Sequence, residues 1–151
     1  MIKEKDNLME KLKILLEENK DKRIVVIGTT CTGKTTLLKN IRNAYDMDDL
    51  VFPLLTKEEE EYVCQSPWTP EIGKTMGRLV KERVKVEKGK PLFGTVLLDC
   101  DLIVYLKIGD NRLKERVSSR NSVFEDAKNM QKNIEKEIRE SNIPVVRFFI
   151  G

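Results

Sequence analysis

Histidine is absent from this chain of 151 residues. A catalytic pair or a metal site built on imidazole is therefore excluded, and proton transfer must rely on carboxylates or lysine. Cysteine is sparse as well. The three thiols are odd in number and show no C-x-x-C spacing, so we expect them to be reduced rather than part of a disulfide framework or a zinc site; they are Cys31, Cys64 and Cys100.

Long apolar runs are also missing. No stretch approaches the roughly 18 apolar residues of a membrane helix, and the charged amino terminus lacks the pattern of a signal peptide. We therefore expect a cytoplasmic protein with no membrane partner. Aromatic residues make up only 6% and the net charge is +3, so neither stacking nor charge indicates nucleic acid as a partner. Nothing in the sequence indicates the oligomeric state.

Two kinds of hydrophobic pattern alternate along the chain. Short apolar runs of strand length separate longer segments whose apolar residues recur at helical spacing. This alternation predicts one α/β domain over 1–151, with a mostly parallel sheet between two layers of helices. The predicted strands cover 23–28, 44–47, 92–98, 102–108 and 145–150, and the longer predicted helices cover 3–20, 34–43, 71–86, 111–119 and 123–140.

Two of the predicted helices carry clear local signals. Residues 1–21 include an amphipathic helix with Leu8, Leu12, Leu15 and Leu16 on one face. We favour packing of that face on this domain, and a partner-binding helix is the alternative. Thr56, followed by Lys and three Glu residues, predicts the N-cap of a further helix with an acidic first turn.

The apolar runs 92–98 and 102–108 raise a topological difficulty. The three residues between them are too few to join two neighbouring parallel strands, which need a crossover of about a dozen residues. Either the first strand ends near Phe93 and residues 94–101 form a compressed crossover, or the two runs are not neighbouring parallel strands. We favour the first alternative.

The most specific pattern in the chain spans Gly28 to Thr35, which fits G-x-x-x-x-G-K-[ST], the phosphate-binding P-loop or Walker A motif. That motif requires a strand before it and a helix after it, and both are predicted here. An ordinary glycine turn leading into a helix is the alternative. The motif predicts a binding site for nucleoside triphosphate formed by Gly28, Thr29, Thr30, Cys31, Thr32, Gly33, Lys34, Thr35 and Thr36.

The residue types of the motif suit the chemistry of a triphosphate. Gly28 and Gly33 allow the loop to curl so that several backbone N–H groups point inward at the start of a helix. Lys34 is expected to reach the β- and γ-phosphates, and the Thr35 hydroxyl to hold Mg²⁺. Cys31 is expected to fill space in the loop, because no histidine exists to activate its thiol.

Two carboxylates lie at the end of the predicted second strand, Asp46 and Asp48. Because the carboxyl ends of parallel strands share one edge of the sheet, both are expected near the phosphate loop. One of them can hold Mg²⁺ through water, and the other can accept a proton from a substrate hydroxyl or orient it. The alternative is that these residues cap a surface turn, a role that aspartate also favours.

Arginine recurs with helical spacing at Arg112, Arg116 and Arg120. Guanidinium groups can neutralise the charge that develops on a transferred γ-phosphoryl group, so this segment is a candidate lid in which Arg116 and Arg120 act in catalysis. A solvated basic face is the alternative. The lid and the helix after it occupy about residues 110–140.

One glycine and two further arginines are candidates for the acceptor side. Gly94 lies where the third strand ends, and the missing side chain allows close approach to its backbone, although a plain turn is an equal alternative. Arg78 is a candidate ligand for an acceptor substrate, and Arg83 is a weaker one.

The sequence lacks the guanine-specificity and switch motifs of Ras-like GTPases and the Leu-Ser-Gly-Gly-Gln motif of transporter ATPases. In the order of its remaining features it resembles the P-loop small-molecule kinases of the shikimate kinase and nucleoside monophosphate kinase group. The resemblance implies a five-stranded parallel sheet of order 2-3-1-4-5, ATP with Mg²⁺ as the phosphoryl donor, and a small-molecule acceptor that Asp48 binds. It is carried by residues 28–36, 45–50, 93–99 and 101–106 and by the arginine cluster.

The chain also departs from that group. The glycine triplet expected after the third strand is reduced to Gly94, and no segment for base recognition follows the last strand up to Gly151. We therefore expect a kinase, but the sequence specifies neither its acceptor nor its preference for ATP or GTP. The alternative is a regulatory or assembly module that binds ATP or GTP without an acceptor, and phosphorylation of nucleic-acid ends ranks lower.

Overall fold

The computed structural model describes residues 4–29, 34–65, 69–119 and 124–150. Five parallel strands form one sheet in the order β2-β3-β1-β4-β5, which is the order that the resemblance implied. The strands are β1 (Ile24–Ile27), β2 (Tyr45–Asp46), β3 (Leu92–Gly94), β4 (Leu102–Ile108) and β5 (Val145–Ile150). The predicted parallel α/β class is therefore confirmed.

Seven α-helices surround the sheet in the described residues. A 3-10 turn, Phe52–Leu54, follows α3 directly. The helices are α1 (Glu4–Glu18), α2 (Lys34–Lys39), α3 (Met47–Val51), α4 (Lys57–Val63), α5 (Pro70–Arg83), α6 (Asp110–Ser119) and α7 (Phe124–Ser141). No helix within these residues has both the length and the apolar composition to cross a bilayer.

Alternate residues of the strands point to opposite faces, as the period of a β-strand requires. Val25 and Ile27 of β1 pack with buried residues of α3, α4, α5 and α7 on one face. Ile24 and Val26 pack on the other face with α1 and with Leu37 of α2. The two apolar clusters explain why every residue of β1 is buried and why helices lie on both faces.

The amino-terminal helix packs on this domain, as we favoured. Leu12 is fully buried and Leu16 nearly so, and both lie in the cluster that contains Ile24, Val26 and Val104 of the sheet. The predicted N-cap is confirmed too. The Thr56 hydroxyl accepts the Glu59 N–H, and the Glu59 carboxylate accepts the Thr56 N–H, which forms a complete capping box.

Several predicted boundaries were wrong by a few residues. The helix after the phosphate loop ends at Lys39 instead of residue 43, and Asn43 adopts a left-handed φ of 60° in the turn that follows. The second strand is only Tyr45–Asp46, because Met47 already begins α3. The helix predicted over 71–86 forms despite Gly73 and Gly77 and ends at Arg83.

The structure decides between the two alternatives for the run 92–98. β3 ends at Gly94, and residues 95–101 return to the start of β4 without a helix. Leu98 and Cys100 are buried against the α5 and α7 face of the sheet on the way. The short strand with a compressed crossover is therefore correct. The topological difficulty disappears because β1 lies between β3 and β4, so these two strands are not neighbours.

The register defines two opposite edges of the sheet. Ile27 lies beside Gly94, and Phe93 lies beside Asp46, so the chain leaves β1, β2 and β3 at the same place. We name this the carboxyl edge. The opposite amino edge contains the residues that enter β1 and β4, beginning with Arg23 and Asp101.

Candidate functional site

Lys34 lies near the end of the predicted phosphate loop. It begins α2, and its ammonium group donates hydrogen bonds to the carbonyl oxygens of Gly28 and Thr29, at 2.7 and 2.6 Å. These bonds hold the charged end of the side chain over the point where the chain leaves β1. Thr35 and Thr36 follow in the first turn of α2. Four predicted site residues lie outside the described residues: Thr30, Cys31, Thr32 and Gly33.

The first two residues of the motif are anchored to other elements. The Gly28 N–H donates to the Gly94 carbonyl at 3.3 Å, which joins the loop to the end of β3. Thr29 is fully buried, and its hydroxyl donates to the Ala127 carbonyl of α7 at 2.8 Å. The Thr29 side chain is thus engaged with α7, and its carbonyl with Lys34.

The acidic pair divides into a capping residue and an exposed one. Asp46 is the N-cap of α3, and its Oδ1 accepts the Asp48 N–H at 2.8 Å, so the alternative capping role is observed for Asp46. Asp48 is exposed at the surface, yet partial desolvation raises the pKa of its carboxyl, and the charges of Asp46 and Asp49 raise it further. The positive charge of Lys34 acts to lower the pKa of Asp48, so the two groups interact electrostatically.

The donors at this edge fit a magnesium ion in chemical type. Asp46 supplies a carboxylate whose Oδ2 makes no hydrogen bond to the described residues, and the sequence supplies the Thr35 hydroxyl. Mg²⁺ is usually bound by one or two such oxygens, with water and substrate phosphate completing the shell. Within the described residues, no group of three or more acidic or thiol side chains could hold a metal ion.

Gly94 has a packing role that the sequence did not reveal. A Cβ at this position would lie 2.5 Å from the Met47 sulfur and 2.9 Å from its Cγ. Met47 is nearly fully buried at the start of α3, directly beside Asp48. The close neighbour of Gly94 is therefore Met47, and the glycine allows α3 to begin against the end of β3.

The predicted lid helix forms, and its arginines lie outside the core. Leu113 and Val117 of α6 are buried against Ile108 and Ala127, so the packing of α6 is apolar. The Arg112 guanidinium lies 3.9 Å from the carboxylate of Glu115, and the more protected Arg116 follows one turn later. Arg120 lies outside the described residues.

The two candidate acceptor arginines are engaged with glutamates. Arg83 makes a bidentate ion pair with Glu59 at 2.5 and 2.7 Å and also donates to the Leu54 carbonyl. The Arg83 guanidinium lowers the pKa of Glu59 to about 2. Arg78 pairs with Glu82 one helical turn away, at 3.2 Å. Arg83 thus joins α5 to α4, and this contact assigns it a structural role instead of an acceptor-binding one.

Sequence reasoning missed the polar anchors of α7. The Lys128 ammonium lies 2.8 Å from Asp110 of α6 and 2.9 Å from the amide oxygen of Gln131. Gln131 is buried, and its side-chain amide donates to the Ile108 carbonyl at the end of β4. One signal could have identified Gln131, because it interrupts an apolar helical stripe formed by Ala127, Ile134 and Ile138.

The two recesses that the structure describes lie elsewhere. The larger, of about 690 Å³, is at the amino edge between the carboxyl ends of α1 and α2, and the smaller, of about 190 Å³, is beside Tyr45 and Leu92. None of the predicted site residues lines either recess. The larger one faces the negative ends of two helices, which the surrounding Lys20, Lys22 and Arg42 offset. We therefore place the candidate site at the carboxyl edge on chemistry instead of on volume.

Comparison with known proteins assigns no family to the chain. No protein-family model matches the chain, and no curated protein matches it. The functional interpretation therefore depends on the loop motif, on the contacts of Lys34 and on the acidic residues beside it.

Proposed function

We propose that this protein is a P-loop phosphotransferase, a kinase that moves the γ-phosphoryl group of ATP, as its magnesium complex, to a small acceptor molecule. The observation that carries the proposal is the position of Lys34. Its ammonium group is held by the Gly28 and Thr29 carbonyls, at the head of α2 and directly after the loop that follows the central strand. Together with a complete G-x-x-x-x-G-K-[ST] motif between a strand and a helix, this position supports a role of Lys34 in phosphate binding.

The donor site follows from the loop and Lys34. Backbone N–H groups of residues 28–36 cradle the phosphates, and Lys34 neutralises charge on the β- and γ-phosphoryl oxygens. Asp46 and Thr35 would hold Mg²⁺, which supplies further neutralisation of the phosphate charge when it is bound. Arg116 of α6, together with Arg120, stabilises the negative charge that develops during transfer.

The acceptor site is assigned to Asp48. Asp48 is the second residue of α3, which begins directly after β2. In the sheet, β3 separates β2 from β1, and both strands end at the carboxyl edge. The raised pKa of Asp48 makes its carboxylate a better proton acceptor than an ordinary aspartate. Asp48 therefore orients an acceptor hydroxyl and takes its proton as the oxygen attacks the γ-phosphorus. Gly94 contributes by letting α3 carry Asp48 close to the loop.

A second function is favoured by a different observation. Both candidate acceptor arginines already form ion pairs, Arg83 with Glu59 and Arg78 with Glu82. If no other positively charged side chain binds an acceptor, the protein acts as a nucleotide-binding regulatory or assembly module. Such a module binds ATP or GTP without phosphoryl transfer to a small molecule.

A thermal-shift titration tests nucleotide binding. We expect Mg-ATP to raise the Tm of the wild-type protein and to leave the Lys34→Ala variant unchanged, since a ligand that binds only the folded state stabilises it. Mg-GTP and ADP define the base and phosphate preference. No shift at millimolar nucleotide, or an equal shift in Lys34→Ala, contradicts the proposal.

A turnover assay separates the kinase from the module. ADP release that rises on addition of one compound from a panel of small alcohols and phosphates supports the kinase. Slow ADP release that no acceptor changes supports the module, and the Asp48→Asn variant then leaves this rate intact.

A further inference from the structure

Thr29 occupies the second position of the phosphate loop, but its side chain faces away from the loop. The residue is fully buried, and its hydroxyl donates to the Ala127 carbonyl, 98 residues further along the chain, at 2.8 Å. A buried hydroxyl must find such a partner, because leaving it unsatisfied is costly. The bond ties the base of the loop to the first turns of α7.

The backbone of the same residue faces the loop. The Thr29 carbonyl accepts one of the two hydrogen bonds from the Lys34 ammonium, at 2.6 Å. Thr29 is therefore in contact with the group that is expected to meet the phosphates and with the helix that follows the candidate lid. Phosphate oxygens are charged and are stronger acceptors than a carbonyl, so a bound triphosphate competes with Thr29 for Lys34.

The first two turns of α7 are attached to the rest of the lid region. Lys128 bonds to Asp110 at the start of α6, and Gln131 bonds to the Ile108 carbonyl at the end of β4. Ala127 also packs with Leu113 and Val117 of α6. The segment around Ala127 is thus in contact with α6, the helix that carries Arg112 and Arg116.

We infer that Thr29 is a positioning residue that couples occupation of the phosphate loop to the arginine-bearing helices α6 and α7, through the Thr29 hydroxyl and the Ala127 carbonyl. The inference rests on the proposed function, since it requires that the loop bind a nucleotide. Thr29 does not contact the reacting atoms in this account. It sets the position of α7, and through Asp110 and Leu113 that of α6, relative to the loop.

Two variants isolate the hydroxyl. Thr29→Val keeps the branched shape and removes the donor, and Thr29→Ser keeps the donor and removes a methyl group. Without ligand, we expect hydrogen exchange of the amides in residues 124–131 to be roughly 2- to 10-fold faster in Thr29→Val, the range expected for the loss of one hydrogen bond. Thr29→Ser should remain within about 2-fold of the wild type.

Saturating nucleotide provides the functional measurement. In the wild-type protein, Mg-ATP should slow exchange in residues 124–131 as well as in the first turn of α2. In Thr29→Val at its own saturating Mg-ATP concentration, hydrogen exchange should slow in α2 but not in residues 124–131. The kcat for ADP release should also fall. Thr29→Ser should restore both the protection of α7 and kcat, which a role in fold stability alone does not predict.

The outcomes distinguish the inference from the proposed function. If the wild-type protein binds no nucleotide, the proposed function fails and the coupling fails with it. If the wild-type protein binds Mg-ATP and residues 124–131 exchange at the same rate with and without it, the coupling alone is contradicted, whether or not Thr29→Val folds. Equal defects in Thr29→Ser and Thr29→Val also contradict it, since the hydroxyl is then not the cause.

Discussion

The two edges of the sheet differ in how their charged side chains are arranged. At the amino edge, Arg23 donates from its backbone N–H and two guanidinium nitrogens to Asp101 at 2.9 to 3.3 Å, and a third nitrogen reaches Asp99 at 3.1 Å. At the carboxyl edge, Asp46, Asp48 and Asp49 lie within four residues, and their mutual repulsion contributes to the raised pKa of Asp48. Opposite charges are joined at one edge, and like charges are gathered at the other.

The two arrangements have opposite effects on the stability of the folded state. Hydrogen bonds from Arg23 lower the pKa of Asp101, so its ionised form stabilises the folded state above the ordinary pKa of aspartate, and this contribution is lost as the pH falls through the folded value. Asp48 has a raised pKa, so its ionised form destabilises the folded state at neutral pH. An arrangement that costs stability is expected where a function requires it, which favours the carboxyl edge as the site.

The largest predicted effect is on ligand stabilisation at the carboxyl edge. At a concentration of Mg-ATP about 100 times the Kd, binding contributes about 2.7 kcal/mol, which corresponds to a rise in Tm of about 5–10 °C for a domain of this size. Lys34→Ala should abolish this rise in a thermal-shift assay. The Arg23→Gln variant at the amino edge is the control and should keep it. Loss of the rise in both variants would contradict the separation of the two edges.

The next effect concerns the backbone that carries Asp48. Gly94→Ala forces Met47 to move, because the added Cβ would lie 2.5 Å from its sulfur, and overpacking of this kind costs about 1–3 kcal/mol. We expect a lower Tm and a weaker transfer activity, measured on the same sample.

Gly77→Ala is the matched control for this glycine. Gly77 lies within α5, and a Cβ there would be 4.0 Å from the nearest contact, Val96. Alanine is favoured over glycine in a helix by roughly 0.5–1 kcal/mol, so this variant should be slightly more stable than the wild type. A loss of stability in Gly77→Ala equal to that in Gly94→Ala would show that Met47 is not the cause.

A smaller loss is predicted for the ion pair at the amino edge. Arg23→Gln should lower the Tm at pH 7 and should lower it less at pH 3, because the ionised form of Asp101 is the source of the stabilisation. The expected change at pH 7 is a few degrees. Lys20→Gln is the control, since the Lys20–Glu17 pair is nearly three-quarters exposed on both sides and should contribute little. A loss that is independent of pH would contradict the assignment to Asp101.

The sequence was informative wherever the signal is local. The alternation of apolar runs predicted the α/β class, the spacing of Thr56 and Glu59 predicted a helix start, and the motif predicted a loop between β1 and α2. These features depend on residues within about one turn of each other. The strand order entered through the resemblance to P-loop kinases and not through the pattern of residues alone.

The contacts that were missed join residues far apart in the chain. Arg83 finds Glu59 across 24 residues, and Thr29 finds Ala127 across 98, and no periodicity encodes either pair. The apolar run 92–98 left the end of β3 open for a related reason. Val96 and Leu97 are partly buried and Leu98 is buried in the cluster that contains residues of α5 and α7, so the apolar character of this run follows from its packing and not from hydrogen bonding to a neighbouring strand.

The smallest effect on stability and a large effect on chemistry should occur together at Asp48. Asp48→Asn removes a carboxylate whose ionised form is disfavoured by desolvation and by Asp46 and Asp49, so the variant should be more stable than the wild type at pH 7, by about 1–2 °C as is usual for a surface change. The gain should shrink as the pH falls, because Asp48 in the wild type then takes up a proton. Differential scanning calorimetry at pH 7 and pH 4 measures it, and the transfer assay on the same preparation should show a rate well below that of the wild type. A variant that is less stable at pH 7, with unchanged transfer, would mean that Asp48 serves the fold, and the two edges of the sheet would then differ in geometry but not in purpose.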